Sequence, residues 1–295
     1  MISYTLIVNT HSNSLRAERY IRSKEQLIHS TLPNSEIIYV SKPSDLIQQS
    51  SLAAQSSSVV IACGGDGTAQ SVVKGLQDSS AVFGLLPIGS GNDFAKAIGL
   101  KTKQPIEYYL EIILSKQILE VDVPVINSSI FINTAGIGFD GLTNYYASTF
   151  RLLKGTTKYT LAGLKAFLTA RPIHISGTID DSDFNQAVWL VAAANGAVEG
   201  GKYLISPKSS NTDGVLDLVI VPAYNRLKLG LAFILLSFGK KLPASFSKVI
   251  SFKEASFQVS KDHYIHLDGE VGTASTSYKI DLKKEPLKVI GVTLS

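Results

Sequence analysis

The stretch "VVIACGGDGTAQSVV", residues 59–73, decides the fold. Five apolar residues, Val59 to Cys63, read as a buried strand. The pattern then breaks into three glycines and one aspartate and resumes as a helix from Thr68. A glycine-rich turn between strand and helix lets backbone N–H groups converge on an anion at the positive end of the helix dipole. Asp66 would repel a bare phosphate but suits one that arrives with Mg²⁺.

Outward from this turn, residues 1–122 alternate between strand and helix. "YTLIVN" and "SEIIYV" are strands, with a helix from Leu15 to about Ser30 capped by Ser14 between them. A second helix, Ser44 to Gln55, precedes "SSVVIAC", and "AVFGLLPIG" follows the helix Thr68 to Leu76. Such alternation predicts an α/β domain with a parallel sheet, whose ligands sit at the carboxyl ends of the strands. Residues 123–295 read differently. "HISGTI", "QAVWLVAAAN", "GVLDLVIV", "VISFKEASFQVS", "YIHLDGE", "TSYKIDL" and "LKVIGVTL" are strands, with helical stretches near 142–170 and 226–239. They predict a largely antiparallel β-sandwich domain.

Composition narrows the class. A chain of 295 residues with 45% hydrophobic and 18% charged residues has ample core for two domains. One cysteine, Cys63, excludes an internal disulfide and a cysteine-rich metal site. With no basic leader before the first strand, the expected location is the cytoplasm, peripheral to the membrane. The longest apolar run, "LGLAFILLSF", is too short to span a bilayer. A net charge of +4 is weak for a nucleic-acid binder. Its placement is uneven: Gly141–Ile179 and Leu218–Lys253 contain no acid. Arg151, Lys154, Lys158, Lys165 and Arg171 lie in the first stretch, and Arg226, Lys228, Lys240, Lys241 and Lys248 in the second. Both stretches suit an anionic membrane surface, and equally two solvated helix faces. The oligomeric state is left open between monomer and homodimer.

Two familiar phosphate motifs fail on inspection. "GIGFDG" (136–141) matches G-x-G-x-x-G, but no acid follows about 20 residues later to hold a ribose. "GAVEGGKY" (196–203) places Tyr203 where a Walker A loop needs Ser or Thr. The turn at 64–68 has better support, because "LPIGSGNDFAKAIGL" (86–100) ends the next strand in the same style. Each turn combines glycines with a hydroxyl (Thr68, Ser90) and an acid (Asp66, Asp93). "NTHSN" (9–13) ends the first strand at the same edge.

"GGDGT" followed by "PIGSGNDFA" resembles the diacylglycerol-kinase catalytic-domain family, which includes bacterial lipid kinases and the sphingosine and ceramide kinases. "NTAGIGFD", "GGKYLISPKSSNTDGVLDLVIV" and "HLDGE" continue the resemblance in the family's order. Two departures are Ser90, where the family usually has Thr, and "VNTHSN", where Asn-Pro is more common. The resemblance implies that ATP is contacted by Asn9, Thr10, His11, Ser12, Asn13, Ser41, Gly64, Gly65, Asp66, Gly67, Thr68, Ala69, Gln70 and Ser90. It implies that Asp66, Asp93 and Asp122 hold a catalytic Mg²⁺, directly or through water, and that Glu270 is the general base. It also implies a structural Mg²⁺ on the Asp213 carboxylate and the carbonyls of Ser210 and Val215. From the residues alone, Asp213 reads as an ordinary Asp-Gly hairpin turn.

The expected activity is an ATP- and Mg²⁺-dependent lipid kinase acting on a primary hydroxyl, with diacylglycerol giving phosphatidic acid. The first domain would bring the ATP loops and the second the base. An NAD kinase, which shares a GGDGT-type turn, and a non-catalytic nucleotide- or lipid-binding regulator are the alternatives.

Overall fold

A computed structural model describes residues 2–13, 15–150 and 155–293. The expected cap Ser14 and the basic residues Arg151 and Lys154 lie outside them. The chain divides into two compact units, Met1–Val121 with Glu285–Ser295, and Asp122–Lys284.

In the first unit, β1 (Tyr4–Asn9), β2 (Ser35–Val40), β3 (Val59–Gly64) and β4 (Val82–Pro87) pair in parallel, in the order β2-β1-β3-β4. Every residue of β3 is buried, as expected for a parallel strand covered on both faces. Leu6, Val8, Ile61, Cys63 and Leu86 pack into one core with Ile106, Tyr109 and Ile113 of the helix Ile106–Ser115. The predicted first helix is two, Arg16–Arg22 and Glu25–Thr31. Ser23 donates its Oγ to the Tyr20 carbonyl, and Lys24 leaves helical geometry at φ −119° and ψ 6°. A serine that bonds its own backbone competes with the helix ladder.

The last strand is a correction to the predicted domain limits. Leu287–Ile290, read from sequence as part of the second domain, lies in the first sheet between β4 and β5 (Ile118–Val121). It runs parallel to β4 and antiparallel to β5. Alternation in "LKVI" marks a buried face without naming the sheet that buries it. Close backbone approach fixes the join: a Cβ on Gly291 would lie 2.7 Å from the Ile98 carbonyl oxygen and 2.6 Å from Leu119 Cδ1.

The second unit is an antiparallel sheet built around the long strand Ser182–Ala194. Its first half pairs with Ile173–Ile179, its second half with Thr134–Gly138, and Leu216–Pro222 pairs along Val188–Ala194. Ile137, Ile175, Val191, Leu218, Phe257 and Tyr278 belong to its core. "VISFKEASFQVS" is two strands, Lys248–Phe252 and Ala255–His263. They part where the Asp180 carboxylate accepts the Lys253 and Glu254 amides at 2.9 and 3.1 Å. The helices Gly155–Thr169 and Arg226–Ser237 are tied by the Arg226 guanidinium, which donates to the Phe167 and Ala170 carbonyls at 2.7 and 2.6 Å. Among the described residues, no helix is long and apolar enough to cross a membrane.

Because Ile290 is buried in the first core, Ile290→Ala should cost about 2–5 kcal/mol in urea unfolding. Lys288→Ala, on the exposed side of the same strand, should stay within about 0.5 kcal/mol. Equal losses would mean that the strand is not held as described.

Candidate active site

Parallel strands in register end at one edge, and that edge collects the nucleotide candidates of the first unit. β1 leads into Thr10–Asn13, β2 into Ser41, β3 into the turn at Gly65, and β4 into Ile88–Asn92. Gly67, Thr68, Ala69 and Gln70 form the first turn of the helix Asp66–Gly75. Thr68 is the local hub: its Oγ1 accepts from Asn9 Nδ2 at 3.0 Å and lies 3.1 Å from Ser12 Oγ. A Cβ on Gly64 would lie 2.3 Å from Thr68 Oγ1 and 2.8 Å from Ser12 Oγ. Gly64 therefore has no room for a side chain. Ala69 and Gln70 are buried beneath the turn, where Gln70 Oε1 accepts from Lys74 Nζ at 3.1 Å. Thr10 is also buried and donates to the Val40 carbonyl, tying the ends of β1 and β2. His11, Asn13, Ser41 and Ser90 are exposed.

The two glycine turns touch backbone to backbone. A Cβ on Gly89 would lie 2.4 Å from Gly65 Cα. Asn92 holds the second turn from within: its Oδ1 accepts from the Gly89 amide, and its Nδ2 donates to the Pro87 and Gly89 carbonyls. It does so from the left-handed region at φ 53°, which asparagine tolerates better than most residues. Asp66 Oδ1 accepts from the Phe94 amide at 3.0 Å, so this carboxylate also pins the helix Asp93–Ala97. Asp93 is buried and pairs with Lys96 at 2.9 Å. The structure thus links Asp66 to the segment that carries Asp93.

Asp122 belongs to the second unit. Its Oδ2 accepts from the Gly214 amide at 2.9 Å, and its own amide donates to the Asn211 carbonyl at 2.8 Å. Burial raises its carboxyl above the ordinary range, the Gly214 amide opposes that, and the charge of Asp213 adds to it. Asp122 therefore sits with the loop Ser210–Val215, where Asp213 Oδ1 accepts from the Val215 amide at 3.3 Å. In the same loop Asn211 is buried with no partner for Nδ2. The donors here are all oxygens, a set that fits a hard cation.

Glu270 is exposed at the end of a two-residue hairpin between Ile265–Leu267 and Glu270–Val271. Asp268 and Gly269 make the turn at φ 52° and 86°, the paired positive angles of an Asp-Gly turn. The Asp268 carboxylate accepts the amides of Ile132, Asn133 and Thr134 at 2.8, 2.7 and 2.9 Å. It anchors the turn, and Glu270 is the acid left to the surface.

One cluster escaped the sequence reading. The ring of fully buried His266 hydrogen-bonds through Nε2 to Asp140 Oδ2, and Glu199 Oε1 lies 3.5 Å from the same nitrogen. Burial opposes protonation of the ring, but the Asp140 and Glu199 charges outweigh it and lift the pKa to about 9. The Gly269 amide approaches Nδ1 at 3.4 Å. The only signals in the sequence were the two discarded glycine motifs, which contain Asp140 and Glu199, and the motif "HLDGE". Three segments more than 50 residues apart in the chain, one helical and two in strands, give no spacing to read.

The diacylglycerol kinase catalytic domain model matches residues 3–126, and the YegS C-terminal NAD kinase beta sandwich-like domain model matches 133–290. The chain belongs to the diacylglycerol-kinase and YegS-like lipid kinase family, whose members are phosphotransferases. It is 34% identical over 174 residues to a probable lipid kinase YegS-like of Chromohalobacter salexigens, a match covering 57% of this chain and 55% of that protein. To a diacylglycerol kinase of Bacillus subtilis it is 28% identical over 217 residues, covering 72% of this chain and 71% of that one. The fold is that of a diacylglycerol kinase from Bacillus anthracis, with a TM-score of 0.76 at 20% identity, covering 98% of this chain and 97% of the other. An NAD kinase from Archaeoglobus fulgidus in complex with ATP matches at TM-score 0.53 and 10% identity, covering 97% and 93%.

The backbone contact between the turns gives a test. Gly89→Ala should weaken binding of a fluorescent ATP analogue about tenfold or more, because its methyl must push Gly65 aside. Circular dichroism should show the fold retained. Unchanged affinity would show that the turns need not touch.

Proposed function

We propose that the chain transfers the γ-phosphoryl group of ATP to the primary hydroxyl of diacylglycerol, giving phosphatidic acid. The observation that carries this reading is Asp66, set in a glycine turn at the strands' carboxyl edge and bonded to the segment of the second glycine turn. Membership of a lipid kinase family supplies the acceptor class.

The chemistry follows from what the residues can do. An alcohol is a weak nucleophile, and phosphoryl transfer depends chiefly on positioning and charge neutralisation. The loops Asn9–Asn13 and Gly64–Gln70, with Ser41 and Ser90, would bind and orient ATP through N–H groups and hydroxyls. Asp66, Asp93 and Asp122 are the carboxylates assigned to the catalytic Mg²⁺; when bound, it would neutralise charge on the phosphates. Ser210, Asp213 and Val215 would hold the structural ion, with Asp122 hydrogen-bonded into that loop. Glu270 would orient the acceptor hydroxyl and accept its proton, a role typically worth about 10²–10⁴-fold.

Lipid acceptors lie in membranes, and the second unit offers a surface for one. Leu164, Leu168, Leu227, Leu231, Ile234 and Phe238 are exposed on or beside the helices Gly155–Thr169 and Arg226–Ser237. Lys158, Lys165, Lys240 and Lys241 lie on the same helices or just after them. Apolar side chains with basic neighbours fit an anionic lipid surface.

Incubation with labelled ATP and a panel of diacylglycerol, sphingoid, ceramide and NAD acceptors in mixed micelles tests the reading. Labelled phosphatidic acid is expected; labelled NADP would replace the proposal with an NAD kinase, and no transfer would leave a binding protein. Glu270→Gln should lower kcat by about 10²-fold or more with little change in KM. A raised KM at constant kcat would make Glu270 a substrate-positioning group. Asp66→Asn, which keeps an oxygen for the Phe94 amide, should also remove most turnover while circular dichroism stays unchanged.

For the membrane surface, sedimentation with vesicles should show binding that rises with anionic lipid and falls as salt is added. Binding indifferent to both would return these helices to the status of solvated faces.

A further inference from the structure

His266 stands where a buried strand would ordinarily carry an apolar side chain. Its neighbours Ile265 and Leu267 belong to the core of the second unit's sheet, and alternation puts the fully buried imidazole on the other face of the strand. Burying an imidazole is unfavourable unless it is hydrogen-bonded. Here the surroundings are shaped for it. Gly136 of the strand Thr134–Gly138 pairs directly opposite, and a Cβ on it would lie 2.5 Å from His266 Nε2. Asp140, at the start of the helix Phe139–Thr149, hydrogen-bonds Nε2 through Oδ2, and Glu199 Oε1 lies 3.5 Å from the same nitrogen. An ionised carboxylate only accepts, and the Gly269 amide faces Nδ1, so Nε2 carries a proton in the neutral and the charged ring alike.

The strand that carries His266 also carries the hairpin of Glu270. Glu270–Val271 forms the edge of the sheet; its two residues pair with Leu267 and His266. A strand this short has little hold of its own. The Glu270 side chain is exposed, so its place follows that of the backbone beneath it. Asp268 ties the turn to the amides of Ile132, Asn133 and Thr134. The next point inward is weaker, because the residue opposite His266 is a glycine, which gives a strand no side chain to pack. There the helix Phe139–Thr149 closes on the strand. Gly141 has no room for a side chain against the Tyr264 carbonyl, and the Tyr145 ring stacks on Tyr264 at 3.8 Å. Packing of that kind is non-directional, whereas one donor on one acceptor fixes a position. Apolar residues of the same size often serve stability as well as a buried ion pair does, which leaves geometry as the contribution of His266 and Asp140.

We propose that His266 is a positioning residue for Glu270, its hydrogen bond to Asp140 fixing the hairpin against the helix Phe139–Thr149. The inference rests on the base role proposed above for Glu270. Being fully buried, His266 acts through the backbone of Leu267–Glu270 and not on the acceptor itself. Without its bond the edge strand shifts and carries the Glu270 carboxylate away from the acceptor hydroxyl. A displacement of about 1 Å at a reacting group can lower a rate by about 10²-fold. The nucleotide loops belong to the other unit, so binding of ATP is not expected to change.

Kinetics of the full chain with ATP and diacylglycerol in mixed micelles test this role. His266→Leu should lower kcat about tenfold or more with little change in the KM for ATP. His266→Gln, whose Nε2 amide can donate to Asp140 in place of the ring, should recover most of that loss. Added to Glu270→Gln, His266→Leu should lower kcat by less than about threefold, because the two residues act as one unit. Hydrogen exchange over residues 264–272 should quicken in His266→Leu and not in His266→Gln. Should His266→Leu fail to fold, Asp140→Ala, at a part-exposed position, removes the same bond and decides in its place. A fall of kcat in Glu270→Gln with none in His266→Leu, full additivity of the two losses, or exchange alike in all variants would overturn the positioning role and leave Glu270 as the base. An unchanged kcat in Glu270→Gln would remove the base, and the positioning role with it.

Discussion

The first unit depends on the approach of two glycine turns. Gly65 and Gly89 meet without side chains between them, and this closeness brings the ends of β3 and β4 to one surface. The Ile88 amide donates to the Gly64 carbonyl at 2.8 Å, so the pairing of the strands runs directly into the turns. Asn92 satisfies the second turn internally, and Asp66 fastens the first to the helix behind the second. A surface made of backbone amides suits phosphate, because its donors are fixed before the ligand arrives. The acid at Asp66 is a strut between two loops, beside the cation-binding role proposed for it. That is why asparagine, and not alanine, separates the two roles.

The second unit uses acids in a different way. Asp217 accepts from the hydroxyls of Ser206, Ser209 and Ser251, and Asp268 accepts three backbone amides. Hydrogen bonds to a charged acceptor are stronger than neutral ones, so these carboxylates hold loops in place. Glu270 and Asp213 remain exposed. Within the one five-residue motif "HLDGE", Asp268 anchors the turn and Glu270 is exposed.

Much of this was legible in the sequence. A fully apolar run such as "VVIAC" between turn residues can only be a covered strand, and the glycine turns marked the edge at which the parallel strands end. Texture alone separated the α/β region from the β region. The limits of legibility are physical. "LKVI" has the alternation of a strand, but the partner that buries it is set by Gly291, Ile98 and Leu119, which no local pattern connects. Ser23 and Asp180 broke elements by bonding to nearby backbone, a competition that periodicity does not register. The role expected of Asp122 came from resemblance, and its hydrogen bonds to Gly214 and Asn211 join residues about 90 positions apart, which no local pattern connects.

The Asp140–His266–Glu199 cluster shows why a failed motif is still informative. "GIGFDG" was rejected as a nucleotide loop because its context is wrong, yet its glycines are required by contacts. Gly136 leaves room for the His266 ring, Gly138 clears the Trp189 carbonyl, and Gly141 clears the Tyr264 carbonyl. "EGGKY" likewise turns sharply for the sake of a hairpin and not of a phosphate. Glycine clusters report that something approaches the backbone closely, and the approaching group decides the function. In the first unit the turns approach each other backbone to backbone. In the second, side chains fill the space, and the chemistry passes from the backbone to two carboxylates and an imidazole.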